Sequence, residues 1–390
     1  MANENKMVWY PYLPDREIEV YEPYLRLFFE TMYERHMIWY KRFVEQRKAP
    51  WTKDKIFQEN KFTNVYRELD RNSQWEIKNI ILDDSLDLRN LVWKVMVFRI
   101  FNNIETFEFD PKGFSLQGSL FGPNYKSGLE QIENPSELIS AKKWRNGIPD
   151  YEEYDEEEFS RFIAGIRSVG KNPFTNAYVL NSRATPGQQR DYCYTRAVLP
   201  AFHDNIDTLI DLVRNAKKPE EIIEFLKSLP SVADFIAHEF YQDFTYISRY
   251  TNRDFMRFDQ NDFTSVGPGA QIGIRLIYPN IAKPKSEEQE LKWLLTASPV
   301  CRKRQTKGIY MLRDVAEEWL TIIGKEKGKP MPYLYWDKEN REYCIGKECN
   351  ITLHQIEMWL CEFCKYWKMK IGMGRQRQKF IPKTKQLIVN

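Results

Sequence analysis

The spacing of apolar residues limits the fold most strongly, because they recur every three or four positions along much of the chain. That period is typical of helices that bury one face. Few stretches alternate with period two, although residues 331–345 have the pattern of a short hairpin. The sequence therefore predicts a mainly α fold in which a small β element is possible. The predicted helices cover residues 16–47, 62–80, 85–107, 154–168, 203–216, 218–228, 231–249, 287–296, 311–324 and 352–369.

Local signals mark two helix starts and one break in the pattern. Thr352 and Gln355 match a capping box, and Thr52 is expected to cap a turn through Asp54. Several prolines and glycines interrupt residues 108–150, which indicates a loop-rich insert. We therefore expect two regions: 1–150, helical with this insert, and 151–390, with the hairpin motif described below and a basic C-terminal helix and tail, packed as one unit.

Composition favours a cytoplasmic protein without a membrane partner. The N-terminus lacks the apolar run of a signal peptide, and no run of 18 apolar residues occurs. Six irregularly spaced cysteines in 390 residues argue against a disulfide scaffold and favour a reducing compartment.

Metal binding stays open at this stage. Zinc is conceivable at four cysteines, but two of them fall within a predicted helix, and free cysteines also bury as small apolar residues. The four histidines show no metal-binding spacing. The cysteines concerned are Cys344, Cys349, Cys361 and Cys364.

Charge is distributed unevenly, although the net charge is only +3. Residues 365–390 hold eight Lys/Arg and no Asp or Glu, whereas residues 150–158 hold seven acids. This asymmetry favours a basic surface for phosphate binding, while a solvated tail would give the same pattern.

Two segments have the pattern of phosphate-binding turns. Residues 229–237, Leu-Pro-Ser-Val-Ala-Asp-Phe-Ile-Ala, are similar to the helix-hairpin-helix turn of DNA glycosylases, with Ser231 and Ala233 in place of glycines. An ordinary helical hairpin would also match. Gly267-Pro-Gly269 can form an anion-binding nest, with Asp259 and Asp262 just upstream, but it is neither a Walker loop nor a dinucleotide fingerprint.

Two further segments carry candidate polar site residues. On the predicted helix 62–80, Asn64, Arg67 and Arg71 share one side and Arg67 could pair with Asp70, so this face is either a pocket wall or a salt-bridged surface. On the last predicted helix, Glu362, Lys365 and Tyr366 can converge on one site.

Together and in order, these segments resemble the alpha-glutamyl/putrescinyl thymine pyrophosphorylase family. The family includes the helical domain of 5-hydroxymethyluracil DNA kinases and the phage amino acid:DNA transferases. The resemblance extends over roughly residues 30–380. It rests on Phe-Thr-Asn-Val-Tyr-Arg-Glu-Leu-Asp-Arg from residue 62, Gly-Pro-Gly-Ala from 267 and Leu-Cys-Glu-Phe-Cys-Lys-Tyr from 360, with Glu34-Arg35, Pro50-Trp51-Thr52 and Phe174-Thr-Asn-Ala-Tyr178.

The resemblance implies a glycosylase-like helical fold that flips a modified thymine out of duplex DNA in a phage-infected cell. It also implies that an amine displaces pyrophosphate from 5-pyrophosphoryloxymethyl-deoxyuridine. The chain shows no P-loop such as the kinase members carry, which favours the transferase branch, and glycine is our expected amine. Putrescine and glutamate are alternatives, and Mg²⁺ is a possible cofactor.

Site roles follow as expectations. The expected catalytic carboxylates are Asp243, Asp262 and Glu362. The expected substrate- or phosphate-binding residues are Asn64, Arg67, Asp70, Arg71, Gly267, Gly269, Arg275 and Lys365. Two alternatives remain: a glycosylase-like base-excision enzyme, and a non-catalytic DNA-binding subunit of a 5-hydroxymethyluracil DNA kinase.

Overall fold

The computed structural model describes residues 18–108, 147–168, 170–175, 190–281 and 299–374. Its helices are α1 (Glu22–Trp39), α2 (Lys55–Glu59), α3 (Arg71–Glu76), α4 (Leu88–Phe101), α5 (Ile104–Phe107), α6 (Glu156–Ser168), α7 (Arg190–Cys193), α8 (Leu199–Asn215), α9 (Pro219–Ser228), α10 (Asp234–Tyr250), α11 (Pro268–Ile277), α12 (Pro299–Asp314), α13 (Ala316–Glu326) and α14 (Leu353–Lys370). The strands are β1 (Tyr333–Asp337) and β2 (Glu342–Gly346). π-Helical turns at Tyr40–Val44, Ile77–Ile81 and Tyr194–Val198 continue α1, α3 and α7, and 3-10 turns occupy Arg67–Leu69 and Tyr151–Glu153.

The chain forms two compact units. Unit 1 combines residues 1–71 with 260–390, and unit 2 comprises residues 72–259. This grouping differs from a division at residue 150, because unit 1 takes residues from both sides of unit 2 in the sequence. Periodicity reports which face of a helix is buried, but not which distant segment covers it.

Unit 1 has a core built between α1 and the C-terminal helices. Phe28 on α1 contacts Phe363 on α14 edge to face, with ring centroids 5.5 Å apart. Phe29 stacks on Trp319 of α13 at 6.3 Å. These side chains are almost fully buried, so the apolar stripes predicted for the two ends of the chain cover each other.

Helices α11 and α14 approach closely in unit 1 because glycines face α14. A Cβ atom added at Gly273 would lie 2.6 Å from the carbonyl oxygen of Leu360, closer than real Cβ contacts. At Gly269 it would lie 3.1 Å from the Cys361 sulfur. The absence of side chains at these positions therefore brings the start of α11 onto the middle of α14.

Unit 2 is organised around α4, in which every residue from 90 to 101 is buried. A helix that is apolar on nearly all sides belongs at the centre of a unit. Its two buried cations both have partners: Lys94 Nζ bonds the carbonyl of Ile148 and the carboxylate of Asp150, each at 2.7 Å. The other, Arg99, belongs to the cluster described below.

The structure confirms the mainly helical class and the β-hairpin, formed by β1 and β2. It also confirms the capping box at Thr352, where Gln355 and Thr352 bond reciprocally. The helix predicted over 62–80 is wrong in its first half, since residues 62–66 are not helical and Arg67–Leu69 form a 3-10 turn. Asn102 adopts a left-handed conformation (φ 42°) and divides the helix predicted over 85–107. The helix predicted over 287–296 lies outside the described residues.

In the described part of the chain, no helix combines the length and the apolar character needed to cross a bilayer.

Candidate functional site

A polar loop at residues 61–70 of unit 1 forms the centre of the candidate site. Asp70 Oδ1 accepts hydrogen bonds from both the backbone and the side-chain nitrogen of Asn64, each at 2.9 Å. Its other oxygen pairs with Arg67 Nε at 2.7 Å, so the predicted Arg67–Asp70 pair is present. The Asn64 side chain also donates to the carbonyl of Leu69 at 2.8 Å. The loop is thus folded around two side chains instead of a helical backbone ladder.

Arg35 on α1 binds this loop through hydrogen bonds. Its guanidinium donates to Asn64 Oδ1 at 2.7 Å and to the carbonyl of Phe62 at 3.2 Å. Burial lowers the pKa of Arg35 to about 10, and the nearby carboxylates of Asp70 and Glu362 oppose that change. All hydrogen-bonding atoms of the Asn64 amide are therefore engaged within the protein, and a base edge would have to displace one of these partners.

Glu362 and Lys365 of α14 border the same loop. Glu362 Oε2 accepts from the backbone nitrogen of Thr63 at 3.2 Å and from Lys365 Nζ at 3.0 Å. Lys365 also donates to the carbonyl of Lys61 and lies 4.3 Å from the centroid of the Phe62 ring. The two side chains do converge, as predicted, and they place one carboxylate and one ammonium group beside the loop.

Tyr366, the third residue expected at this place, turns to a different partner. Its hydroxyl donates to Asp54 Oδ2 at 2.6 Å. Burial and that carboxylate raise the pKa of Tyr366. Asp54 is the N-cap of α2, and its backbone nitrogen bonds the hydroxyl of Thr52, so the turn predicted at Thr52 is present.

The glycine turn lies on a neighbouring face of α14. The backbone nitrogen of Gly267 donates to Glu357 Oε1 at 3.1 Å, and Gly269 packs against Cys361. The Glu357 carboxylate thus accepts the hydrogen bond of one N–H group that we expected to bind an anion. Burial, reinforced by Glu357, raises the pKa of the Cys361 thiol well above its usual value.

The remaining predicted residues of unit 1 are Asp262, Arg71 and Arg275. Asp262 is exposed in a turn. The preceding residue, Asn261, accepts a hydrogen bond from the backbone nitrogen of Leu353 at the start of α14. Leu353 precedes Glu362 by nine residues, about 13 Å along a helix. Arg71 is exposed at the first position of α3. Arg275 on α11 donates to the carbonyl of Gln271 at 2.9 Å, and its charge reaches the thiol of Cys364.

Asp243 belongs to unit 2, in a fully buried cluster. Both its oxygens accept hydrogen bonds from the guanidinium of Arg99. Arg99 also bonds Glu239 at 3.0 Å and Glu76 at 3.5 Å. Burial and the nearby carboxylate of Asp243 raise the pKa of Glu76 well above its usual value. This cluster of one guanidinium and three carboxyl groups has no exposure above 6% at any side chain.

The helical hairpin predicted around residues 229–237 is present in unit 2 as α9, a turn and α10. Ser231 adopts the left-handed conformation (φ 60°) that the glycine of the glycosylase pattern would favour. Lys227 of α9 pairs with Asp234 at the first position of α10 at 3.0 Å. Whether this hairpin is a DNA-binding helix-hairpin-helix motif stays a prediction.

Metal ligands do not gather in the part of the chain that is described: no three His, Cys, Asp or Glu side chains there are placed to share an ion. Cys361 faces Gly269, and Cys349 bonds the hydroxyl of Tyr333.

Arg35 and Thr63 are the residues that sequence reasoning missed as parts of the site. Both stand inside segments that carry the family resemblance, and this was the available signal. Their partners are 29 and 299 positions away, which no local pattern reveals.

Comparison with known proteins gives a family assignment. Residues 22–118 and 140–375 match the family described as 5-hmdU DNA kinase, helical domain. A 5-hmdU DNA kinase of Bacillus phage SP10 is 26% identical over 350 residues, covering 87% of this chain and 44% of the relative. The chain thus spans less than half the length of that relative, and no solved structure matches significantly. Since the match covers most of the chain and includes every predicted site residue, the chain belongs to the 5-hmdU DNA kinase helical-domain family.

Proposed function

We propose that the protein is a transferase that modifies a 5-substituted pyrimidine of duplex DNA in phage thymine hypermodification. An amine nitrogen forms a bond to the 5-methylene carbon of 5-pyrophosphoryloxymethyl-deoxyuridine. The carbon–oxygen bond breaks, its electron pair leaves with pyrophosphate, and a carboxylate takes the amine proton. The observation that carries the proposal is the family match, which includes every predicted site residue. The similarity to a protein named a 5-hmdU DNA kinase agrees with it.

The cations of the loop suit the leaving group. Lys365 lies beside the loop, Arg67 is about one-fifth exposed, and Arg71 is exposed. Cationic donors that neutralise a departing pyrophosphate stabilise the charge that develops on it. In this proposal Arg275 holds further phosphate oxygens. The glycine turn does so when a phosphate displaces the Glu357 carboxylate from Gly267, and Asn64 contacts the flipped base when the base displaces one of its protein partners.

The proton acceptor is assigned to Glu362 or Asp262. Both hydrogen bonds that Glu362 accepts from described residues go to Oε2, so Oε1 is available to an incoming amine. Asp262 is exposed. The carboxylate of Asp243 is fully buried and bonded to Arg99. We therefore assign Asp243 a structural role in fixing α10, and the proton acceptor is Glu362 or Asp262.

A second candidate is a non-catalytic subunit that presents the base to a separate kinase. The family description favours this alternative, because the matched family is described as the helical domain of a 5-hmdU DNA kinase. Such a subunit binds DNA without turnover.

The test incubates the purified protein, with and without Mg²⁺, with pyrophosphorylated duplex DNA and glycine, putrescine or glutamate. Pyrophosphate release and the mass of the digested nucleosides are measured. We expect a new nucleoside with one amine, and a loss of about 10²- to 10⁴-fold in rate for Glu362→Gln if it is the general base.

Glu318→Gln, on the exposed face of α13, is the matched control and should keep full activity. No product with any amine would contradict the proposal. DNA binding without product would support the presenting subunit, and an abasic product would indicate a glycosylase.

A further inference from the structure

Unit 1 carries a second feature that the proposed chemistry does not use, an exposed basic segment ahead of the polar loop. Residues 41–61 contain seven Lys/Arg and three acids. Two of these acids are bound internally: Glu45 pairs with Lys329 and Arg47, and Asp54 caps α2 and accepts from Tyr366. The cations therefore dominate the electrostatic field outside this segment.

Three of these cations are unengaged lysines. Lys48, Lys53 and Lys55 are exposed, and their side chains make no hydrogen bond or ion pair with any described residue. Lys55 stands at the first position of α2, where a positive charge does not stabilise a helix. Folding therefore gives no reason for a cation there. We call Lys48, Lys53 and Lys55, together with the exposed Lys61, the lysine platform.

The platform is held rigidly, although it contains little regular structure. Trp51 Nε1 donates to the carbonyl of Arg47 at 2.7 Å, and Lys41 Nζ donates to the carbonyl of Trp51 at 2.9 Å. Gln58 donates to the carbonyl of Thr52 at 2.6 Å. With Tyr366 bonded to Asp54, the segment is tied to both α1 and α14, so its charges are carried on a fixed surface.

The platform also continues directly into the candidate site. The carbonyl of Lys61 accepts a hydrogen bond from Lys365, which in turn pairs with Glu362. Trp51 is half-buried, and the guanidinium of Arg42 lies 5.0 Å from its ring centroid. Fixed lysines beside a site of this kind provide the sequence-independent contacts that set the position of a polyanion.

From this arrangement we propose that the lysine platform docks the phosphate backbone of duplex DNA and so places the target base at the polar loop. The proposal rests on the proposed function for the identity of the polyanion. It concerns binding alone and involves no chemical step.

The test compares two triple variants that remove the same charge. One is Lys48→Ala/Lys53→Ala/Lys55→Ala. The control is Lys325→Ala/Lys327→Ala/Lys338→Ala, three exposed lysines elsewhere in unit 1. Binding of a fluorescent, unmodified duplex is measured by anisotropy at 50 to 200 mM salt.

We expect the platform variant to lower the slope of log K against log salt by about 2 to 3, because each lost phosphate contact removes about 0.9. At 100 mM salt its affinity should fall at least tenfold, and that of the control less than threefold. Equal losses in both variants, or none in either, would overturn the proposal. Loss of binding to anionic vesicles with DNA binding retained would overturn it too, in favour of a membrane surface.

Failure of this proposal can be told from failure of the proposed function. Binding of unmodified duplex needs no turnover, so a changed salt slope without any pyrophosphate release keeps the platform and removes the transferase. Transfer activity whose KM for DNA is the same in the platform variant and the unsubstituted protein keeps the transferase and removes the platform.

Discussion

The two units each contain a cluster of arginine and acidic side chains, but the clusters differ in access to solvent. In unit 1 the Arg67 and Asp70 side chains are 18% and 20% exposed, and Glu362 is 13% exposed. In unit 2 no member of the Arg99 cluster exceeds 6%. A partly exposed ion pair can exchange its partner for a ligand, whereas a sealed one holds helices together. In our proposal the same residue types therefore bind the ligand in unit 1 and hold helices together in unit 2.

Arg99→Met should have the largest effect on stability. It leaves Asp243 and Glu239 buried without a counter-charge, and breaking a buried pair in this way costs about 3–5 kcal/mol. The free energy of unfolding from urea titration checks this value. Arg89→Met, which removes an exposed pair with Asp207, is the control and should leave the free energy of unfolding unchanged.

Within the same cluster, Glu76→Gln should cost about 1 kcal/mol or less, because burial and the nearby carboxylate of Asp243 raise the pKa of Glu76 and so favour its neutral form. Asp243→Asn should cost clearly more. Equal costs for the two variants would mean that the cluster does not discriminate between its carboxyl groups, and would contradict this charge assignment.

His36 of unit 1 should produce the next largest effect, through pH. The ring is buried between Trp39 and Tyr66 and bonds the carbonyl of Pro332, and burial lowers its pKa to about 4. The folded state favours the neutral ring. The contribution of His36 to the free energy of unfolding is therefore fully present above the unfolded pKa near 6.5, and it is lost as the pH falls toward 4. Between pH 7.5 and 5.0 the loss should reach about 2 kcal/mol relative to His36→Gln.

Urea titrations of the unsubstituted protein and His36→Gln at the two pH values measure that difference. Parallel pH profiles would contradict it. Glu76→Gln sharpens the comparison, because the raised pKa of Glu76 makes its contribution fall as the pH rises above about 4.5, the opposite direction.

Arg67→Met should have the smallest effect on stability. Its partly exposed pair with Asp70 is expected to contribute about 1 kcal/mol or less to the free energy of unfolding. Transfer activity on pyrophosphorylated DNA should nevertheless fall, whereas Arg313→Met on α12 should lower neither quantity. A loss of stability as large as that of Arg99→Met would make the unit 1 loop structural and remove the contrast between the clusters.

Local sequence signals predicted the helices well and the polar loop poorly. The capping box at Thr352 and the helix over 154–168 depend on neighbouring residues, so the sequence displays them directly. At residues 62–66 the apolar spacing suggests a helix, but Asn64 and Asp70 bond each other and compete with helical hydrogen bonding.

The site was predictable in its residue types but not in its contacts. Glu362 and Lys365 lie three residues apart on one helix, so their pairing could be foreseen. The bond from Arg99 to Asp243 joins residues 144 positions apart, whereas the prediction of a catalytic role used only the position of this carboxylate after the helical hairpin motif. Burial separates the two cases, and it depends on segments that the sequence pattern does not pair.

The discontinuity of unit 1 has a consequence for how the protein is made. Phe28 and Phe363 meet in its core but are 335 residues apart, so a ribosome needs about 20 to 70 s to deliver the second after the first. Unit 2 emerges completely during that interval and can fold on the way. Until then the apolar surface of α1 stays uncovered. Slow translation, or a shortage of chaperones, should therefore lower the yield of folded unit 1 before it lowers that of unit 2.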